Sequence, residues 1–231
     1  MLILGLQKTT LLDYPGKIAS TIFTGGCNFR CPFCHNRDLV IPPKNVIAYS
    51  EDEILTHLIS KKKILDGVCI TGGEPTLHSD LPEFIKKIKD LGLLVKLDSN
   101  GTNPDMLANL INSHLIDYVA MDIKHSKEKY NSIANMANFD LSNIESSIEI
   151  LMESNINYEF RTTIMKECHS YEDMIEIGKW LKGANAYYLQ SYKESEQVIN
   201  PIFTPHDRNT LESFVEILKS YIPNTNLRGI D

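Results

Sequence analysis

Six short segments with the apolar and β-branched composition of strands alternate along this sequence with segments of helical periodicity. Strands that alternate with helices pair in parallel through right-handed crossovers. The sequence therefore predicts an α/β fold in which helices cover a parallel sheet. The predicted strands cover residues 18–24, 68–70, 94–97, 118–121, 158–162 and 186–189.

The intervening helices carry recognisable start and stop signals. Ser50 and Glu53 have the spacing of a capping box, which satisfies free backbone N–H groups at a helix start. In the next helix, Pro82 lies in the first turn and Gly92 follows the last turn. Apolar residues at helical spacing mark four further helices, so the pattern gives six strand–helix units in a single domain, 1–231.

The number of units leaves two architectures open. A closed barrel of this type has eight units and about 250 residues, whereas this chain has 231 residues. An open, partial barrel and a doubly wound sheet both fit that length. The two differ in where their polar residues collect.

Polar residues follow the predicted strands at their carboxyl ends. In a barrel these ends meet on one face, where the active sites of such folds lie. Single segments also have simpler interpretations, because Gly-Gly and Asn-Gly favour turns and an Asp–Lys pair is often a surface ion pair. Their shared position favours the partial (β/α)6 TIM-like barrel. The candidates are Thr71, Gly72, Gly73, Glu74, Asp98, Asn100, Asp122, Lys124, Arg161, Thr163 and Gln190.

Three cysteines directly follow the first predicted strand with C-x3-C-x2-C spacing: Cys27, Cys31 and Cys34. Three thiolates from one loop can surround a single metal centre, and they fall one short of the four that fill a cubane cluster or a structural zinc site. A metal centre with one free position can bind a substrate. The glycines Gly25 and Gly26 before the loop favour close approach of the backbone to a ligand.

Two other interpretations of this loop stay open at the level of spacing. His35 could supply a fourth ligand and complete a zinc site in a binding module without catalysis, and three core cysteines could also lie together by chance. A simple electron carrier is disfavoured because the loop lacks a fourth cysteine. The chain has five cysteines, an odd number that disfavours a disulfide framework.

The cysteine loop, with Phe33 before its last cysteine, resembles the signature of radical S-adenosylmethionine (SAM) enzymes. The resemblance implies that Cys27, Cys31 and Cys34 hold one [4Fe–4S] cluster and that His35 is not a ligand. In that family the remaining iron binds the amino and carboxylate groups of SAM. An electron then cleaves SAM to methionine and a 5′-deoxyadenosyl radical. Phe33 is expected near the adenine.

The strand-end residues take on roles through the same resemblance. Residues 71–75 are similar to the motif that receives the SAM amino group, and an acidic or polar residue such as Asp98 or Asn100 contacts SAM. Asp122 and Lys124 resemble the D-x-K of glycyl-radical activating enzymes, where the lysine meets the SAM carboxylate and the aspartate meets the ribose region. Arg161, Thr163 and Gln190 are expected to complete the SAM site.

Two further segments resemble the oxidoreductases that activate glycyl radical enzymes: residues 34–36, and residues 11–17, which resemble the anaerobic ribonucleoside-triphosphate reductase activating proteins. The implied partners are that large reductase and an electron donor of the flavodoxin or ferredoxin type, with His35 and Asn36 contacting the partner's loop. Pyruvate formate-lyase or another glycyl radical enzyme remains an alternative partner, and a small-molecule substrate a third possibility. A second cluster is not expected, because Cys69 and Cys168 lie too far apart.

Composition narrows the remaining function classes. A net charge of -7 and a pI near 5.5 argue against nucleic-acid binding. No apolar run reaches the roughly 20 residues of a membrane span, so a cytoplasmic location is expected. Cys69 is expected in the core, whereas Cys168 and His169 form a candidate nucleophile pair.

Overall fold

The computed structural model describes residues 1–137 and 139–229, which contain one eight-stranded sheet. The strands follow each other across the sheet in chain order. The first strand pairs antiparallel with the second, and all later neighbours pair in parallel. The strands are β1 (Ile3–Thr10), β2 (Ala19–Thr24), β3 (Gly67–Gly72), β4 (Leu94–Ser99), β5 (Tyr118–Asp122), β6 (Asn157–Ile164), β7 (Tyr187–Ser191) and β8 (Thr225–Arg228).

A helix follows each strand from β2 to β7, which confirms the six predicted strand–helix units and the partial barrel. Among the described residues, β1 and β8 form opposite edges of the sheet and do not pair, so the barrel is open. No helix in the described part of the chain is long and apolar enough to cross a membrane. The helices are α1 (Arg37–Val40), α2 (Glu51–Lys61), α3 (Leu81–Asp90), α4 (Pro104–Asn112), α5 (Tyr130–Ala134), α6 (Leu141–Glu153), α7 (Tyr171–Trp180) and α8 (Arg208–Lys219).

Local hydrogen bonds explain where the helices begin. At α2 the Ser50 hydroxyl accepts a bond from the Glu53 N–H at 3.2 Å, and the Glu53 carboxylate accepts one from the Ser50 N–H at 2.8 Å. The same reciprocal arrangement joins Ser170 and Asp173 at the start of α7. These capping boxes satisfy N–H groups that have no partner within the helix.

Alternate residues of each strand face opposite sides of the sheet. On the convex face, which the helices cover, Val95 and Leu97 of β4 belong to an apolar core together with Phe84 and Ile85 of α3. On the concave face, charged side chains converge across the sheet. Arg161 of β6, for example, reaches past β5 to Asp98 of β4 at 3.1 Å.

Two edge strands were not predicted from the sequence. In β1 the middle residues are exposed or half-buried, and β8 has only four residues, of which Thr225, Asn226 and Arg228 are polar. Edge strands bury less surface than central ones, so they need no apolar run. The segment between β1 and β2 closes the amino end of the barrel, where Tyr14 is buried against Tyr118 with ring centroids 5.9 Å apart.

Candidate active site

A cavity of about 220 Å³ opens at the carboxyl ends of strands β2 to β7. Every residue predicted for the cluster, the SAM site and the partner contact lines it, including the three cysteines, His35 and Asn36. The eleven strand-end candidates also lie together here, as the partial-barrel interpretation requires. Three lining residues were not predicted: Phe29, Val40 and Ser99.

The cysteine loop is fixed to two other segments by backbone hydrogen bonds. The Arg30 N–H donates to the Ala134 carbonyl at 2.9 Å, which joins the loop to α5. The segment between β7 and α8 lies along the other side. Its Ile199 N–H donates to the Cys34 carbonyl at 3.1 Å, and its Asn200 N–H donates to the Pro32 carbonyl at 2.8 Å. The loop is therefore held in place by long-range contacts on both sides.

The thiols have surroundings suited to metal ligands. The Phe29 N–H donates to Cys27 Sγ at 3.4 Å, and Asn100 Nδ2 approaches the same sulfur at 3.9 Å. Hydrogen bonds to ligand sulfurs are a normal feature of iron–sulfur sites. Burial raises the pKa of Cys27 to about 12 and that of Cys31 to about 11. Neither thiol is a free nucleophile at neutral pH, whereas a bound metal would deprotonate it.

The donor set fits a cluster better than a single zinc ion. Three thiols of one loop line the cavity, and His35 is the further ligand that the spacing left open. A zinc ion needs its ligands at about 2.0–2.3 Å around one point, whereas a [4Fe–4S] cluster offers each thiolate a separate iron. His35 Nε2 is bonded to the Lys193 carbonyl, which removes that nitrogen from ligation.

The two glycines after β3 allow this strand to end directly against the cysteine loop. A Cβ atom on Gly73 would lie 1.9 Å from the Gly26 carbonyl oxygen, and Gly72 has a φ of +120° with Thr24 backbone atoms 2.4 Å from its Cβ position. The Glu74 N–H donates to the Gly26 carbonyl at 2.8 Å. Close backbone approach therefore explains the Gly-Gly pair more fully than a turn alone.

Glu74 joins the loop after β3 to the loop after β4. Its fully buried carboxylate accepts bonds from the Thr76 N–H and hydroxyl, from the Ser99 hydroxyl at 2.9 Å and from the Asn100 N–H at 2.6 Å. Burial raises the pKa of Glu74 against the effect of these donors. Asn100 in turn donates to Asn28 Oδ1 at 2.8 Å, which extends the network to the cysteine loop.

Alternating charges form the wall of the cavity on the concave face. Arg161 donates to Asp98 at 3.1 Å and to Asp122 at 3.0 Å, and Lys124 Nζ donates to the other Asp122 oxygen at 3.0 Å. Lys96 is paired with Asp98 from the opposite side. Asp122 and Lys124 thus form an ion pair, as their spacing allowed. It lies at the cavity wall and not at the outer surface of the protein.

This network keeps its members charged. Burial alone would raise the pKa of Asp122, but Arg161 and Lys124 outweigh it and lower that pKa to about 2. The pKa of Asp98 is lowered for the same reason, by Arg161 and Lys96. The pKa values of Lys124 and Arg161 are raised because their anionic partners outweigh burial.

The remaining predicted residues complete the cavity. Lys124 Nζ lies 5.9 Å from the centre of the buried Phe33 ring, which packs edge-to-face against Phe203. Thr163 of β6 and Gln190 of β7 are register partners, so they lie side by side at the strand ends.

The two other cysteines have different surroundings. Cys69 is fully buried, as predicted, with Sγ 3.7 Å from Lys96 Nζ. The candidate pair of Cys168 and His169 is not formed. His169 Nδ1 accepts a bond from the Met165 N–H and Nε2 is bonded to the Lys124 carbonyl, so neither nitrogen can take a proton from Cys168. Burial raises the pKa of the Cys168 thiol to about 11.

Among the residues that sequence reasoning missed, Lys96 had a detectable signal. It interrupts the apolar run of β4. Because successive side chains of a strand point to opposite faces, a lysine between two apolar residues is expected on the face opposite to theirs. Phe29 lies inside the cysteine loop itself and Ser99 between two predicted residues. Val40 follows the loop in α1, and the sequence around it did not indicate a role in the cavity.

Comparisons with known proteins agree with this geometry. The Radical SAM superfamily matches residues 21–181. A protein of Methanocaldococcus jannaschii described as "Putative glycyl-radical enzyme activating enzyme" is 32% identical over 238 residues, covering 100% of this chain and 97% of that protein. A "Probable GTP 3′,8-cyclase" of Thermococcus kodakarensis is 31% identical over 159 residues, which are 67% of this chain and 50% of that protein.

The fold is also found in a solved structure. Streptococcus suis SuiB bound to S-adenosylmethionine superposes with a TM-score of 0.67 at 17% identity, covering 89% of this chain and 49% of SuiB. This chain therefore spans about half the length of that protein, and the likeness concerns the fold. The superfamily match extends from the strand before the cysteine loop through α7, which is more than half of the chain. The chain belongs to the radical SAM superfamily, whose redox enzymes use a [4Fe–4S] cluster and S-adenosylmethionine as cofactors.

Proposed function

We propose that this chain generates a glycyl radical on a partner enzyme, and that the partner is anaerobic ribonucleoside-triphosphate reductase. The observation that carries the proposal is the meeting of three thiols with the Asp98–Arg161–Asp122–Lys124 network in one cavity. The full-length similarity to the Methanocaldococcus jannaschii protein supports the activating reaction. The resemblance of residues 11–17 to reductase activating proteins supports the choice of partner.

Cys27, Cys31 and Cys34 would hold the cluster at the loop. A cluster held there would pass one electron from an external reductant to bound SAM and so supply its reductive cleavage. The chain's own residues bind and orient SAM. The backbone of Gly72 and Gly73 receives the SAM ammonium group, and Glu74 fixes the neighbouring loop through Asn100.

The charge network explains how the site can accept the SAM carboxylate. Lys124 shares Asp122 with Arg161, and each cation occupies a different carboxylate oxygen. If Lys124 turns toward an incoming carboxylate, Asp122 keeps its bond to Arg161. The binding step therefore leaves no buried charge without a partner, which would be costly. Asp122 is then placed for the ribose hydroxyls, with Asp98 beside it.

The partner's loop would reach the cavity at its rim. His35 and Asn36 line the cavity at the end of the cysteine loop and are the proposed contacts. Residues 11–17 lie at the opposite, amino end of the barrel, where the Thr21 hydroxyl donates to Asp13 at 2.5 Å and Tyr14 is buried. Residues 11–17 are therefore not among the proposed contacts of the reacting glycine.

Electron paramagnetic resonance tests the reaction and the partner together. The anaerobically reconstituted enzyme is mixed with SAM, a strong reductant and the candidate reductase, and the glycyl radical signal is recorded. A pyruvate formate-lyase serves as the alternative partner, and the Cys34→Ala variant serves as the control. We expect the signal when the reductase is the partner and no signal when the lyase is the partner. SAM cleavage without a signal on the reductase would contradict the proposed partner. A signal on the lyase would identify the lyase as the partner instead.

A further inference from the structure

Two imidazole rings lie directly behind the cavity wall, between the loops that follow β5 and β6. His125 and His169 stack with ring centroids 4.7 Å apart and an interplanar angle of 15°. Their exposed fractions are 1% and 2%. The reaction proposed above does not use them. His169 was considered from the sequence as the partner of Cys168 in a nucleophile pair, which the structure does not form.

The hydrogen bonds fix which nitrogen of each ring carries the proton. His169 Nδ1 faces the Met165 N–H at 3.2 Å and must accept. Its proton is therefore on Nε2, which donates to the Lys124 carbonyl at 3.3 Å. In the same way, His125 Nδ1 accepts from the Ser126 N–H at 2.8 Å and Nε2 donates to the Cys168 carbonyl at 2.8 Å.

These bonds join the two loops reciprocally. His125 belongs to the loop after β5 and bonds to the loop after β6, whereas His169 belongs to the loop after β6 and bonds to the loop after β5. A third histidine, His206, donates from Nε2 to the His169 carbonyl at 3.0 Å and connects the segment before α8. The Lys124 backbone is thus attached to the part of the barrel that carries Arg161.

Burial of the two rings favours their neutral form, in which Nδ1 can accept a hydrogen bond. Burial, reinforced by His125, lowers the pKa of His169 to about 3, and burial also lowers the pKa of His125. The anion that faces His125 is Asp173 at 3.9 Å, and it is already paired with Lys129 at 2.7 Å. Protonation would remove an acceptor that a backbone N–H needs.

We propose that His169 is a positioning residue for SAM binding, which acts by fixing the backbone of Lys124. The side chain of Lys124 is held at one end by Asp122, and its backbone is held at the other end by His169. Losing the second contact removes one of the bonds that hold the loop after β5 and loosens the placement of the ammonium group at the cavity wall. This inference rests on the proposed role of Lys124 in binding the SAM carboxylate.

Two substitutions separate the two nitrogens of His169. His169→Gln keeps a donor near the position of Nε2, whereas His169→Asn keeps only a group near the position of Nδ1. SAM affinity of the cluster-loaded protein is measured by titration calorimetry. We expect His169→Asn to weaken SAM binding about fivefold, the effect of one lost hydrogen bond. His169→Gln should stay within about twofold of the unmodified protein.

A double-mutant cycle with Lys124→Ala shows whether the effect passes through Lys124. In the Lys124→Ala background, His169→Asn should cause no further loss of SAM affinity. His125→Asn, which removes the bond to Cys168, should weaken SAM binding in the same direction and by less. It provides a second test should His169→Asn fail to fold. Iron content and the thermal unfolding temperature are recorded for every variant.

The outcomes distinguish this inference from the function on which it rests. If Lys124→Ala weakens SAM binding and His169→Asn does not, the inference is wrong and the proposed SAM site stands. Equal losses in His169→Asn and His169→Gln that persist in the Lys124→Ala background would show a structural role and also overturn it. If Lys124→Ala binds SAM normally, the proposed role of Lys124 fails, and the inference fails with it.

Discussion

Both faces of the sheet contain fully buried residues, but different forces stabilise them. In β6, Phe160 and Glu159 are neighbours and both are fully buried. Phe160 belongs to the apolar core on the convex face. On the concave face, Glu159 accepts bonds from Tyr118 at 2.7 Å and from Arg228 at 2.8 Å. Burial alone therefore does not distinguish the apolar face of this sheet from its charged face.

The comparison also explains why this barrel has an open interior site. Closed eight-stranded barrels fill their interior with layers of branched apolar side chains. Here the concave face carries Lys96, Asp98, Glu159 and Arg161, which need charged partners or a polar ligand. We infer that the interior is part of the binding site, while the helices and the convex face supply most of the hydrophobic stabilisation.

The largest effect is expected where the concave face meets the cysteine loop. Cys34→Ala should abolish cluster binding, because two thiolates of one loop cannot hold the cubane. Iron content and visible absorption after anaerobic reconstitution measure this. Cys69→Ala is the matched control, since Cys69 is buried at mid-strand, and it should retain iron. Normal iron content in Cys34→Ala would refute the assignment of the ligands.

The next effect concerns the convex face. Phe160→Ala should lower the free energy of unfolding by about 3–5 kcal/mol, as expected when a buried aromatic side chain leaves a cavity. Ile64→Ala, at an exposed position, should change it by less than about 0.5 kcal/mol. Urea unfolding measures both. If Phe160→Ala left stability intact and selectively weakened SAM binding, the division between the faces would be wrong.

A smaller effect is expected at the cavity wall. Lys124→Ala should weaken SAM binding about tenfold to a hundredfold, the range for a lost hydrogen bond to a charged group, while cluster content stays unchanged. Lys127→Ala provides a matched control, because Lys127 pairs with Glu145 at the surface. Equal SAM affinity in the two variants would remove Lys124 from the binding site.

The smallest effect is a dependence on pH. Arg161 and Lys124 lower the pKa of Asp122 to about 2, against the opposing effect of burial. A carboxylate with a lowered pKa stabilises the fold above its ordinary value of about 3.9. That contribution is lost as the pH falls toward about 2. We expect Asp122→Asn to reduce the pH dependence of the unfolding free energy between about pH 4 and pH 2. An unchanged dependence would contradict the network.

Much of the site could be predicted because its residues form short motifs at strand ends. The cysteine loop, Gly72 with Gly73, and Asp122 with Lys124 are each local in sequence, and the barrel brings them to one cavity. The pairing of Glu159 with Arg228 could not be predicted, because the partners lie 69 positions apart. Arg228 also belongs to an edge strand without an apolar pattern. The contact between His169 and Lys124 could not be predicted either, because these two residues also lie far apart in the sequence.

Formation of 5′-deoxyadenosine tests the central claim, that this cavity holds the cluster and SAM, most directly. The reconstituted protein is incubated anaerobically with SAM, a strong reductant and the candidate reductase, and the nucleoside is quantified by chromatography. We expect product with the unmodified protein, less product at limiting SAM with Lys124→Ala, and none with Cys34→Ala. The absence of product from iron-loaded, unmodified protein with the reductase present would contradict the account.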